Sequence, residues 1–322
     1  MSRLPFAALL LPALLVPAAA TAQAFPAKPL RIISPYAPGG TVDILARIVA
    51  QKMSEAWGQQ VIVDHRPGAS GMIGADLVAK SAPDGYTLLM GYTSEIAIVG
   101  NLFSKVPYDP IRDFQPVSLA AIAPMMLVVH PSVPVKSVKD IIALAKSKPK
   151  ELAYASSGTG GPNHLAMALL QTDAGVQLTH VPYKGAAPAL IDVLGGHVAM
   201  FFSGIVVAMP HVKSGRLRGV AVSTAKRSSA APEIPTVAES GMRGFDVPTW
   251  YGVLVAANTP KDVVAKLNTG VVNAMNAPDV KERLTKEGAE PSPNSPEQFA
   301  KFIQTETAKF AQIIKVSGAR VD

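Results

Sequence analysis

The chain has no cysteine among its 322 residues, which rules out disulfides, thiolate nucleophiles and Cys-ligated zinc, and suits an oxidising compartment where free thiols are a liability. It has no run of five Lys or Arg, and its basic residues are scattered singly. That argues against nucleic acid as a partner, although the formal net charge is +7. The pattern G-x-S-x-G is absent, as is G-x-x-x-x-G-K-[ST], and Gly158-Thr159-Gly160 fails the dinucleotide fingerprint because position 163 is Asn. The six histidines, at 65, 130, 164, 180, 197 and 211, include no i, i+4 pair on one helix. They read as satisfied surface or loop residues, and neither a metal site nor a cofactor is expected. After the N-terminus there is no second long apolar segment.

What is present begins with that N-terminus. Arg3 precedes the apolar run Leu4 to Ala20, broken by Pro12 and Pro17, and then the small-residue site Ala22-Gln23-Ala24. This reads as a secretory signal cleaved before Phe25, since the run is short of the roughly 20 apolar residues a membrane span needs. The expected mature chain has 322 − 24 = 298 residues and, with Arg3 gone, a net charge of 7 − 1 = +6. That is length for two lobes, with the periplasm as the expected location.

Short apolar runs alternate with helical periodicity: Leu30 to Ser34 then Val42 to Trp57, Gln60 to Val63 then Ile73 to Ser81, and Thr87 to Met90 then a loop. That alternation predicts a parallel sheet with crossover helices. A second βα series starts near Met126 and runs to the strand Leu217 to Ser223. After the Pro-rich stretch Ala231 to Pro235 come the strand Gly252 to Ala256 and amphipathic helices at Lys261 to Asn276, Val280 to Glu287 and Pro296 to Val316. These helices lack strands of their own and must pack on an existing sheet. The expected division is therefore 25–125 plus 248–322 for lobe 1 and 126–247 for lobe 2, with the chain crossing between lobes twice.

The segment PYAPGGTVDILAR at 35 to 47 carries the strongest local signal. An extended stretch breaks on Pro38-Gly39-Gly40 and enters a helix, which leaves backbone N–H groups free at the positive end of a helix dipole, where a carboxylate or phosphate is favoured. Gly39 and Gly40 let the backbone approach an anion, and Thr41 offers a cap or a hydroxyl to a ligand. Asp43 reads as a structural complement to the dipole or a partner for a ligand cation. A second such junction, ASSGTGGPNHLAMALL at 155 to 170, supplies the hydroxyls of Ser156, Ser157 and Thr159, with His164 on the helix that follows. Ser156 or Ser157 with His164 also raises the rival reading of a serine hydrolase. At Tyr183-Lys184-Gly185, Lys184 is a candidate for a ligand carboxylate, though the backbone at Gly185 and Ala186 is weighted above it. Two anion-holding loops in one chain suggest two lobes closing on one small acid.

The segments KPLRIISPYAPGGTVDILAR (28–47), VIVDHRPGASGMIGADLVAKSAPDGYTLL (61–89), YDPIRDFQPV (108–117), HVPYKGAAPALIDVLGGHV (180–198), SGRLRGVAVSTAKRS (214–228), PTVAESG (235–241) and WYGVLVAANTP (250–260) resemble those of the Bug-type periplasmic solute receptors of tripartite tricarboxylate transporters. The resemblance implies a type II periplasmic-binding-protein fold, two α/β lobes joined by a two-crossing hinge, and a monomeric receptor with no enzymatic activity. It implies a small carboxylate gripped by backbone N–H groups and ordered water, then delivered to a membrane transporter or a sensor protein. By the same resemblance, Tyr36, Pro38, Gly39, Gly40, Thr41, Thr93 and Ser94 would serve from one lobe, and Ser156, Thr159, Gly160, His164, Gly185 and Ala186 from the other. Ser203 stands where these receptors commonly place Asp, which points to an acid without an ammonium group, a dicarboxylate or an aromatic carboxylate. Glu95, in the loop Tyr92 to Ile96, would restore a cationic ligand if it faced the site.

Overall fold

The computed structural model describes residues 25–319; the expected signal at 1–24 lies outside them. Strand β1 (Leu30–Ser34), helix α1 (Thr41–Trp57), β2 (Val61–His65), α2 (Met72–Ala79) and β3 (Thr87–Tyr92) follow the expected alternation. The loop expected after β3 is instead a π-helical turn, Ser94–Ile98, that runs into α3 (Val99–Leu102). Next comes β4 (Phe114–Ala123), which the sequence reading missed. It is a central strand buried on both faces over Val117–Ala121, so it shows no alternation. Its Pro116 sits against Leu254 at a register irregularity, where a missing N–H is tolerated.

The second series comprises β5 (Met125–Val129), α4 (Val138–Ser147), β6 (Ala153–Ser156), α5 (Pro162–Ala174), β7 (Thr179–Pro182), α6 (Ala186–Leu194), β8 (Met200–Gly204), α7 (Ile205–Lys213) and β9 (Arg218–Val222). The chain closes with β10 (Thr249–Ala256), α8 (Lys261–Asn276), α9 (Pro278–Lys286), β11 (Glu290–Pro291) and α10 (Pro296–Ser317). The strands form two sheets, ordered β11-β4-β10-β3-β1-β2 and β7-β6-β8-β5-β9. In each, parallel βαβ pairs sit beside antiparallel strands: β10 runs against β3 and β4, and β5 runs against β8 and β9. This is the two-lobed α/β architecture, the first sheet building lobe 1 and the second lobe 2.

The chain leaves the first sheet between Ala123 and Met125 and returns to it at Thr249. Side-chain hydroxyls tie these passages together: Thr249 donates to the Ala123 carbonyl (2.9 Å), Ser223 donates to the Val247 carbonyl (2.7 Å), and the Met125 N–H donates to the Ser223 oxygen (3.0 Å). Helix α10 packs on β4 and also on α5 of lobe 2, where the Thr172 hydroxyl donates to the Ser317 carbonyl (2.9 Å). Its Phe299 lies so close to β10 that a Cβ on Gly252 would fall 2.2 Å from the ring, which requires glycine there. Two apolar clusters, one holding Leu45, Leu88, Leu190 and Phe201 and the other Ile33, Leu89, Leu127 and Phe202, each draw on both lobes. Among the described residues no helix is long and apolar enough to cross a membrane.

Candidate functional site

Five helices begin at the cleft between the lobes, α1, α2, α5, α6 and α7, and each has glycine as its N-cap: Gly40, Gly71, Gly161, Gly185 and Gly204, with no side-chain hydrogen bond at the cap. Away from the cleft the choice differs. Ser137 caps α4 and Ser295 caps α10 through a capping box. A glycine cap brings no side-chain oxygen to the first N–H groups of a helix, which leaves those donors and the dipole behind them for other partners. At α7 the first of them, the Ile205 N–H, is taken by the Pro124 carbonyl (3.2 Å), and at α5 the first residue is Pro162, which has none.

These helix starts surround two neighbouring spaces. One, of about 290 Å³, is lined from lobe 1 by Tyr36, Gly68 to Met72 and Phe103, and from lobe 2 by Ser157 to Thr159 and Pro182 to Lys184. The other, about 20 Å³, is lined by Tyr36, Gly40, Thr41, Val42, Tyr92, Ser157, Asn163, Ala186, Gly204 and Tyr251; that is room for about one water-sized group. Tyr36 and Ser157 border both. The lobes meet around them: the Ala37 N–H donates to the Lys184 carbonyl (3.4 Å), and the Ser70 hydroxyl donates to the Thr159 carbonyl (2.5 Å). Gly160 abuts Leu102 and Phe103 so closely that a Cβ would fall within 2.7 Å of Leu102.

Electrostatically the lining is almost neutral. Lys184 is the one side chain of formal charge among the residues that line the two spaces. Asp43 is turned inward: burial alone would raise it, but the Gly39 N–H (2.9 Å), Arg47 (2.9 Å) and His65 (2.7 Å) hold it below the usual carboxylate range. Its role is structural. Glu95 is fully buried directly behind the lining, with Oε1 accepting from the Tyr92 N–H (2.6 Å) and Oε2 against the Tyr36 hydroxyl (2.8 Å). Burial raises it to about 8, so it is mostly protonated at neutral pH.

Two histidines depart from the surface placement expected of them. His164 on α5 is 8% exposed, and its ring stacks on that of His180, on β7, at 4.3 Å, with Tyr154 beside them. Burial lowers both to about 4, and for His180 the neighbouring His164 adds to it. Both are neutral near pH 7. Ser156 is fully buried and bonded to His180 (2.7 Å) and to the Gly158 carbonyl (3.0 Å), while His164 accepts from the Gly160 N–H (3.2 Å). The Ser156–His164 pair on which the hydrolase reading depends is therefore not formed, and Ser157 is turned to Asn163 instead.

Of the residues singled out from the sequence, Tyr36, Gly40, Thr41, Ser157, Thr159, Lys184 and Ala186 line the two spaces. Pro38, Gly39, Gly160 and Gly185 shape the loops behind that lining. Thr93 exchanges hydrogen bonds with the backbone of Trp250, and Ser94 donates to the Ser70 carbonyl (3.2 Å), so both hydroxyls support neighbouring chain. Ser156 and His164 form the packing just described. Ser203 is fully buried in β8 behind the lining. Sequence reasoning did not anticipate Asn163, Gly204, Tyr92 and Tyr251 in the lining, or the turn Ala69 to Gly71. The R-P-G-A-S-G run at 66 to 71 was the available signal for that turn.

The family model for the tripartite tricarboxylate transporter family receptor, TctC, matches residues 45–319. The chain belongs to this receptor family. Among its relatives, BugT of Bordetella pertussis is 36% identical over 307 residues, covering 95% of this chain and 94% of BugT. An R. palustris protein solved with adipate superposes with a TM-score of 0.89 at 37% identity, covering 92% of this chain and all of that one. MatC from Rhodopseudomonas palustris, solved with bound malate, superposes at 0.86 with 32% identity, covering 90% of this chain and all of that one. The TctC receptors are solute-binding proteins, and the two lobes described above are theirs.

Proposed function

We propose that this TctC receptor is exported to the periplasm, closes its two lobes on a small carboxylate, and presents it to a membrane transporter of the tripartite tricarboxylate type. The observation that carries this reading is the convergence of five glycine-capped helix starts on a cavity with no acidic side chain in its lining. Backbone donors at helix starts hold an oxyanion without a charged partner, and the smaller space suits a water bridging a ligand oxygen to the protein. The adipate and malate of the two similar structures are ligands of that class.

The preferred ligand is an acid without an ammonium group, a dicarboxylate or an aromatic acid. Ser203 brings no negative charge, and Glu95 is buried behind the lining with both oxygens engaged. A thermal-shift screen of residues 25–322 against carboxylates, aromatic acids and amino acids, followed by calorimetry, tests this. A ligand at about 100 times its Kd adds roughly 2.7 kcal/mol of stability. Tighter binding of an amino acid than of its deaminated analogue overturns the ligand preference. No shift with any acid, and no acid released from denatured protein by mass analysis, overturns the receptor reading. Delivery is tested by uptake in cells that lack the receptor; a response only in a sensor assay would redirect the proposal to signalling.

A further inference from the structure

The Tyr36 hydroxyl lies 2.8 Å from Glu95 Oε2 and 3.0 Å from the Ser70 carbonyl oxygen. A phenol carries one proton. Two oxygens at hydrogen-bond distance therefore require one of them to bring a proton, and a carbonyl has none. The pair is satisfied when Glu95 is a neutral acid that donates to Tyr36, while Tyr36 donates onward to Ser70. Glu95 Oε1 is left to accept from the Tyr92 N–H.

Ser70 is where this chain of bonds acts. Ala69 and Ser70 take φ values of 47° and 54°, a left-handed conformation that non-glycine residues keep only when their surroundings impose it. Here the restraint is on the Ser70 carbonyl, which accepts from both Tyr36 and Ser94. The same residue's hydroxyl reaches lobe 2 at Thr159, and the turn opens the start of α2 onto the cavity.

We infer that Glu95 is a positioning residue for ligand capture: protonated, it fixes through Tyr36 the turn at residues 69–71 on which lobe 2 closes, and ionised, it releases that turn. This rests on the cavity being the carboxylate site proposed above.

The surroundings favour the neutral acid. Burial raises Glu95 to about 8; the opposing pull comes from the ionised form, to which Tyr36 and the backbone would donate. Tyr36, Tyr92 and Tyr108 surround it, all raised chiefly by burial and further by Glu95, and the Tyr108 hydroxyl donates to the Glu95 carbonyl (2.8 Å). Asp76 on α2 acts on Tyr108 and pairs with Lys80 (2.6 Å). Helix α10, packed on the π-helical turn Ser94–Ile98 that carries Glu95, holds Glu306 and Lys309, which act on each other and on Asp246. Among the described residues, no cation pairs with Glu95. As pH rises through about 8 the positioned form is lost; below that it is full.

The test uses adipate and malate, which stay fully ionised from about pH 7 to pH 9.5, with calorimetry on wild type and variants. Wild-type affinity is expected to fall roughly fivefold or more over that range. Glu95→Gln, whose amide donates to Tyr36 and accepts from Tyr92 without titrating, is expected to bind within about threefold of wild type at pH 7 and to show a flat profile. Glu95→Ala is expected to bind weakly throughout. Identical profiles for wild type and Glu95→Gln overturn the inference. So does a pH dependence that survives in Tyr36→Phe, since Glu95 would then act by charge alone. A ligand-free readout separates this from failure of the carboxylate reading. In NMR spectra of the apo protein, the Glu95 carboxyl and the Ser70 and Gly71 amides are expected to titrate together near pH 8, with the amide transition absent in Glu95→Gln. A Glu95 carboxyl titrating near 4.5, or amides that do not follow it, overturns the inference whether or not either acid binds.

Discussion

Ser70 and Thr159 face each other from opposite lobes, the Ser70 hydroxyl donating to the Thr159 carbonyl at 2.5 Å. The neighbouring Gly158 keeps that approach open, since a Cβ there would lie 3.0 Å from Ser70 Oγ. Ser70→Ala removes this bond and leaves the bonds to the Ser70 carbonyl in place. The net loss of about 1 kcal/mol falls on the closed form, so the Kd for a bound dicarboxylate is expected to rise roughly fivefold. The Tm of the ligand-free protein should stay within about 2 °C of wild type. Calorimetry and thermal unfolding of the two proteins check this, and an unchanged Kd would remove the contact from the account of closure.

Gly185 shapes the other side of the closure. Its φ is 133°, and a Cβ would stand 3.1 Å from the Ala37 backbone nitrogen of the opposite lobe. Gly185→Ala brings both backbone strain of roughly 1–3 kcal/mol and a wedge between the lobes. Affinity should fall more than tenfold, well beyond the effect of Ser70→Ala, while the ligand-free protein stays folded with a Tm a few degrees lower. Small-angle scattering with saturating ligand is expected to show incomplete closure.

Much of this architecture is legible in the chain because βα alternation and the glycine-rich loops are local signals. β1, α1, β9 and α8 fall within one or two residues of where periodicity puts them. β4 does not announce itself, since a strand buried on both faces has no alternation and Pro116 argues against it. Loop positions are legible too, but hydroxyl directions are not. Thr93, Ser94 and Ser156 fall in segments read from the sequence as cleft loops, yet their oxygens are spent on Trp250, Ser70 and Gly158 with His180. Tyr251 and Gly204 enter the lining from strand ends near the lobe crossings, a placement only the assembled sheets create.

The stacked His164 and His180 set an acid limit on stability. Unfolded histidine takes up a proton near 6.5, but burial delays protonation of the native pair to about 4. Between those values the unfolded state binds more protons, so stability is present above about pH 6.5 and is lost as pH falls toward 4. Calorimetric scans across this range are expected to show a steeper fall in Tm for wild type than for His164→Asn/His180→Asn. Equal slopes would mean the pair titrates in the native state.

The division between glycine-capped and serine-capped helices predicts changes of opposite sign. Ser137→Ala and Ser295→Ala should each cost about 1 kcal/mol of stability with no effect on ligand affinity, because both caps lie outside the cavity lining. Gly40→Ser is the converse. Gly40 has φ −86° and ψ 171°, which any residue adopts at an N-cap, and its Cβ would meet only Ala186 at an ordinary 3.6 Å. A serine hydroxyl there would accept from the first turn of α1 and add a few tenths of a kcal/mol to stability. It would also occupy the donors proposed for the ligand, so the Kd should rise about tenfold while the Tm holds or increases. A loss of affinity without a loss of stability separates a helix start kept open for an anion from a glycine kept only for its turn. If Gly40→Ser binds as tightly as wild type, the α1 N–H groups do not hold the ligand.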